Sequence, residues 1–74
     1  MSDQDVIRAY EEVLNQIYRA FASAFIGARG DKTAEAEVES HFLRSVARAR
    51  HVRDRALALL RGKHVVRLKV SANV

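Results

Sequence analysis

Cysteine, proline and tryptophan are absent from this chain of 74 residues, and glycine occurs only at positions 27, 30 and 62. Without cysteine, the sequence excludes disulfide bonds and metal sites built on thiolates. Without proline and with three glycines, it offers few points at which a helix has to end. A hydrophobic content of 49% argues against disorder. Together these features predict long helices within a single domain that spans residues 1–74.

Long apolar runs are also missing from the sequence. A helix that crosses a bilayer needs about 20 consecutive apolar residues, and no run approaches that length. The first residues, from Met1 to Asp5, are acidic, whereas a signal peptide begins with positive charge. We therefore expect no contact with membranes and a cytoplasmic location.

The first predicted helix covers residues 3–28. Ser2 and Asp5 have the spacing of a capping box, with Asp at the position where Glu or Gln is usual. Apolar residues then recur at alternating steps of three and four from Ile7 to Ala28, which is a heptad seam. Further apolar side chains flank the seam on both sides, so the apolar stripe is wide.

The second predicted helix covers residues 33–61. A short segment with two glycines precedes it, and either Asp31 or Thr33 can cap its start. Small residues occupy the middle of its apolar face, where the aromatic side chains of the first helix could fit. So short a linker between two long helices predicts an antiparallel hairpin.

The apolar stripes of both helices are wider than one neighbouring helix can cover. A chain of this length also buries little core when it is alone. We therefore expect an all-α hairpin that assembles with itself into an oligomeric helical bundle, with a homodimer as the favoured state. The predicted oligomer core consists of Tyr10, Leu14, Ile17, Phe21, Phe25, Phe42, Ala49 and Ala56.

Residues 64–74 alternate between apolar and polar side chains, which predicts a short C-terminal β-strand. A single strand leaves its backbone N–H and C=O groups without partners. It would therefore pair with the same tail of a second subunit, pair with a protein partner, or stay disordered.

The charge changes sign near residue 40. Residues 1–40 carry eight acidic and four basic side chains, and residues 41–74 carry nine basic and one acidic. Part of this asymmetry follows the helix dipole, which favours acids at helix starts and bases at helix ends. The rest forms a row within about 80° of arc on the second helix, at 100° per residue, with Phe42, Ala49 and Ala56 on the far side of that helix. The basic residues continue into the tail. These candidate contacts for an anion or a nucleic acid are His41, Arg44, Arg48, His51, Arg55, Arg67 and Lys69.

Three interpretations of the basic row stay open. It is a solvated helix face, a surface for successive phosphates of a nucleic acid, or a contact for an acidic protein or lipid. No helix-turn-helix spacing accompanies it, and no aromatic residue interrupts it to stack on bases. Arg53 is a separate case, because it falls inside the apolar arc. We expect it to pair with Glu11 or Glu12 at the edge of the bundle, or to extend to solvent.

Catalytic and cofactor motifs are not apparent in the sequence. The serines have no spacing that suggests a nucleophile with its base, and there is no glycine-rich phosphate loop. Glu37 and His41 could start a metal site, but the neighbouring arginines would repel a cation. We therefore expect no enzyme activity and no cofactor. The favoured function is a homo-oligomeric interaction or assembly module, and the alternative is a small nucleic-acid-binding regulator. An enzyme or metal site formed between subunits is a third, less favoured hypothesis.

Overall fold

The computed structural model describes residues 1–62, of which 87% are helical. Helix α1 spans Asp3–Gly27 and helix α2 spans Lys32–Leu60, and the two form a hairpin. The predicted all-α hairpin is confirmed, with each helix boundary within one residue of its predicted position. The predicted strand at 64–74, with Arg67 and Lys69, lies outside the described residues. Neither α1 nor α2 combines the length and apolarity needed to span a membrane.

Local side-chain chemistry determines where α1 begins. The backbone N–H of Ser2 donates to Asp5 Oδ2 at 2.9 Å, and the backbone N–H of Asp5 donates to Ser2 Oγ at 3.2 Å. These two reciprocal hydrogen bonds form the predicted capping box. Asp3 and Asp5 also place negative charge at the positive end of the helix dipole.

The turn between the helices ends at the cap of α2. Arg29 and Gly30 take left-handed backbone conformations, with φ of 52° and 80°. Glycine adopts this conformation at little cost, whereas Arg29 does so against its own preference. The Asp31 Oδ1 atom then accepts hydrogen bonds from the backbone N–H groups of Thr33 at 2.9 Å and Ala34 at 3.1 Å. Of the two caps that the sequence allowed, the structure uses Asp31.

Three contacts fix the antiparallel register of the hairpin. The rings of Phe21 and Phe42 pack against each other near the turn, with centroids 4.6 Å apart and a tilt of 42° between them. The Arg53 guanidinium lies 4.6 Å from the centroid of the Tyr10 ring. At the open end, Arg61 Nη2 lies 3.0 Å from Asp3 Oδ2. Facing residue numbers therefore add to 63 or 64 along the whole hairpin, without a register shift.

The hairpin has almost no closed interior. Val6, at 7% exposed, is the one buried residue within the described part of the chain. All eight residues predicted to form the oligomer core are half-buried. Within residues 1–62, each helix has a single helical neighbour, so its apolar stripe is covered only along the line of contact.

The contact between Phe21 and Phe42 should be essential for the hairpin. Replacing Phe42 with Asp would place a charge against an aromatic ring and remove the contact between the two rings, at a cost of about 3 kcal/mol or more. We expect the variant to lose most of its helical far-UV circular dichroism. Leu43→Asp is the matched control, because Leu43 is next in sequence and 66% exposed. Native helicity and melting temperature in Phe42→Asp would contradict this packing.

The Asp31 cap should contribute to stability in a smaller, measurable way. Asp31→Ala removes the acceptor for two backbone N–H groups and should lower the free energy of unfolding by about 1 kcal/mol. Asp31→Asn, which keeps an acceptor oxygen at the same position, should recover most of the loss in chemical denaturation. Equal stability of the Ala variant and the parent chain would rule out the cap as a source of stability.

Candidate functional site

One face of the hairpin carries a long open groove between α1 and α2. Two adjoining depressions form it, and they share Ile17, His41 and Ser45 in their linings. The groove begins beside Met1 and Ala56 at the open end and extends to Ala24 and Ala34 near the turn. It therefore follows almost the full length of the hairpin.

Apolar and small side chains line most of the groove. Helix α1 contributes Val6, Ala9, Val13, Ile17, Ala20 and Ala24, and α2 contributes Val38, Ser45, Ala49, Val52 and Ala56. Val13 is 40% exposed and Val52 is 58% exposed. Because side chains this small allow a helix backbone to approach closely, the groove has the shape and chemistry of a helix-packing surface.

A basic edge borders the groove along α2. This basic edge consists of His41, Arg44, Arg48, His51 and Arg55. His41, Arg44 and Arg48 line the groove directly, His51 is exposed, and Arg55 is half-buried. Within residues 1–62, Arg44 and Arg48 form no ion pair. Two permanent positive charges therefore lie beside an open apolar surface.

The position of the basic edge corrects one prediction. The sequence placed Ala49 and Ala56 on the side of α2 remote from the basic row. In the structure, both alanines line the same groove as Arg44 and Arg48. The reason is that α1 covers only part of the apolar arc of α2. The uncovered part, with Val52, adjoins the basic side chains directly.

Arg53 has different partners from those predicted. Its Nη2 atom lies 2.9 Å from Asp54 Oδ1, its Nε donates to the same oxygen at 3.0 Å, and its guanidinium stacks on Tyr10. The partners are thus a neighbour in sequence and an aromatic ring rather than Glu11 or Glu12. A cation over an aromatic face contributes about 1 kcal/mol when partly desolvated. Arg53 therefore has a structural role at the contact between the helices.

The residues predicted to form the oligomer core divide between the groove and the rest of the hairpin. Six of the eight line the groove: Tyr10, Ile17, Phe21, Phe42, Ala49 and Ala56. Leu14 and Phe25 do not line it. Tyr18 and Leu43, which are 61% and 66% exposed, also lie away from it. The hairpin thus has apolar side chains outside the groove as well.

Among residues 1–62, no three histidine, aspartate or glutamate side chains lie close enough together to hold a metal ion. The candidate pair of Glu37 and His41 lines the part of the groove nearer the turn.

The chain matches no protein-family model, no curated protein and no solved structure. The groove and its basic edge are therefore the features of the molecule that bear on its function.

Proposed function

We propose that this protein is a non-enzymatic interaction module that associates with itself through the groove as a homodimeric four-helix bundle. The single observation that carries the proposal is the burial of Val6 alone within residues 1–62. A two-helix unit with a continuous apolar groove leaves most of its hydrophobic free energy unused. A second copy supplies a surface of the same length and apolar character.

The lining of the groove supports helix-to-helix packing over other uses of an apolar surface. Helices in bundles pack with their axes about 8–10 Å apart, and small contact residues favour the shorter distances. Ala9, Ala20, Ala49 and Ala56 provide such positions on both walls. A cytoplasmic location for this assembly is part of the proposal, and a chain without cysteine is compatible with it.

A charge introduced into the groove should dissociate the dimer. Val52→Asp would place one carboxylate from each copy inside the interface, where the loss of hydration costs more than pairing with the neighbouring Arg48 or Arg55 returns. We expect the dissociation constant to rise at least about 100-fold, which corresponds to roughly 2.7 kcal/mol. Sedimentation equilibrium measures the constant directly, and circular dichroism checks that the variant stays helical at concentrations where it dimerises.

Leu43→Asp is the matched control for this experiment. It introduces the same charge on the same helix at a residue outside the groove that is 66% exposed, and it should leave the dissociation constant within about twofold. A parent chain that is monomeric at millimolar concentration would overturn the proposal. If Leu43→Asp dissociates the dimer and Val52→Asp does not, the interface lies on the other face of the hairpin and the proposal is wrong.

Nucleic-acid binding is the second candidate function, and the unpaired state of Arg44 and Arg48 within residues 1–62 favours it. A row of cations on one helix could contact successive phosphates, with an affinity that falls steeply as salt rises. The double variant Arg44→Ala, Arg48→Ala should then weaken binding to duplex or single-stranded DNA in a gel shift at low salt. The matched control, Arg8→Ala with Arg19→Ala, removes the same charge from α1. Absence of any shift at about 50 mM salt, where such contacts are strong, would exclude this candidate.

A further inference from the structure

The two long edges of the groove differ in charge. On the α2 side, the basic edge follows the groove. On the α1 side, Ala9 and Gln16 line the groove, and Asp5 and Glu12 lie on the outer flank of the same helix, four residues before each of them. Both acids are exposed, and Glu12 forms no ion pair within residues 1–62. Arg8 and Arg19 lie on the same flank, four residues before Glu12 and seven after it, so this edge carries no net charge, whereas the α2 edge is basic.

A twofold axis can bring two such grooves together in two ways. With the axis across the helices, α2 lies against α2 of the second copy, and the basic edges of the two copies lie side by side. With the axis parallel to the helices, α1 of one copy lies against α2 of the other, antiparallel to it. Two basic edges repel each other in the first arrangement, whereas in the second each basic edge meets an edge of mixed charge that includes Glu12.

The register of the hairpin determines which residues would meet in the second arrangement. A rotation about an axis parallel to the helices leaves every residue at its own height. Within one copy, residues at equal height have numbers that add to 63 or 64, as the contacts between Tyr10 and Arg53 and between Phe21 and Phe42 show. Glu12 of one copy is therefore level with His51 of the other, between Arg48 and Arg55. Gln16 is level with Arg48 by the same rule.

We infer that the groove is occupied by a second copy of this chain with α1 packed against α2, so that Glu12 of each copy pairs with the basic edge of the other. This inference rests on the proposed self-association and adds its geometry. It assigns the basic edge to the dimer interface and gives Glu12 a partner outside its own chain. The interface is isologous, so every pair occurs twice.

Introduced cysteines test the arrangement directly, because the chain has no thiol of its own. In the inferred dimer, Gln16 of one copy faces Arg48 of the other near the middle of the groove. An equimolar mixture of Gln16→Cys and Arg48→Cys chains should form a disulfide-linked heterodimer on mild oxidation, seen on a non-reducing gel, and neither variant alone should form one. Efficient cross-linking of Arg48→Cys with itself would overturn the inference and indicate that α2 packs against α2.

Charge exchange tests the pairing by a separate measurement. Glu12→Arg places a further cation against the basic edge of the other copy and should raise the dissociation constant of the dimer about tenfold. Arg48→Glu should have a similar effect by placing two acids together. The double variant Glu12→Arg, Arg48→Glu restores opposite charges at both edges and should recover most of the affinity. Single variants that dimerise as tightly as the parent would overturn the pairing.

A third substitution should strengthen the dimer. Arg19 follows Glu12 by one heptad, and it is level with Arg44 of the second copy, where two cations repel. Arg19→Glu should lower the dissociation constant severalfold, with the gain reduced at high salt. Arg29→Glu makes the same charge change in the turn and should have no such effect. A monomeric parent would refute the proposed self-association, whereas a dimer without these charge effects would refute only this geometry.

Discussion

A helix in a two-helix hairpin has one neighbour, and this constraint governs the rest of the structure. One neighbour covers one line of contact, but α1 and α2 both carry apolar stripes that are broader than that line. The aromatic contact of Phe21 with Phe42 and the stacking of Arg53 on Tyr10 hold the two helices together along it. Val6 alone is buried among the described residues. The groove is the direct consequence, because it is the part of both stripes that neither helix covers.

Local chemistry made the helices predictable from the sequence. The capping box of Ser2 and Asp5 and the cap at Asp31 depend on hydrogen bonds between residues at most three apart. Such short-range signals are fully present in the sequence. The absence of proline removed the main alternative places for a helix to end. The ends of both helices are therefore predicted to within one residue.

Contacts between the helices were less predictable, because they depend on how each helix is rotated about its own axis. A rotation of some tens of degrees decides whether Val6 or Leu14 becomes the more buried residue, and the sequence favoured the central seam over its flank. The same uncertainty about rotation explains why periodicity assigns Ala49 and Ala56 to the side of α2 far from the basic row. In the structure, both alanines line the same groove as Arg44 and Arg48. Arg53 was assigned to acids on α1, but its long side chain reaches the adjacent Asp54 instead. The periodicity of the sequence identifies which residues share a helix face. The packing of the two helices decides which part of that face stays exposed.

The two proposed uses of the basic edge make opposite demands on it. A nucleic acid needs Arg44 and Arg48 exposed and uncompensated, since each neutralised phosphate contributes to affinity. A dimer with α1 packed against α2 places Glu12 among the same arginines and weakens their field. Exposed ion pairs contribute at most about 1 kcal/mol each, so apolar packing in the groove has to supply most of the affinity. The charges would instead select one arrangement of the dimer over the other, because only one of them separates the two basic edges. On this view, the sign change near residue 40 specifies how two copies of the chain are oriented.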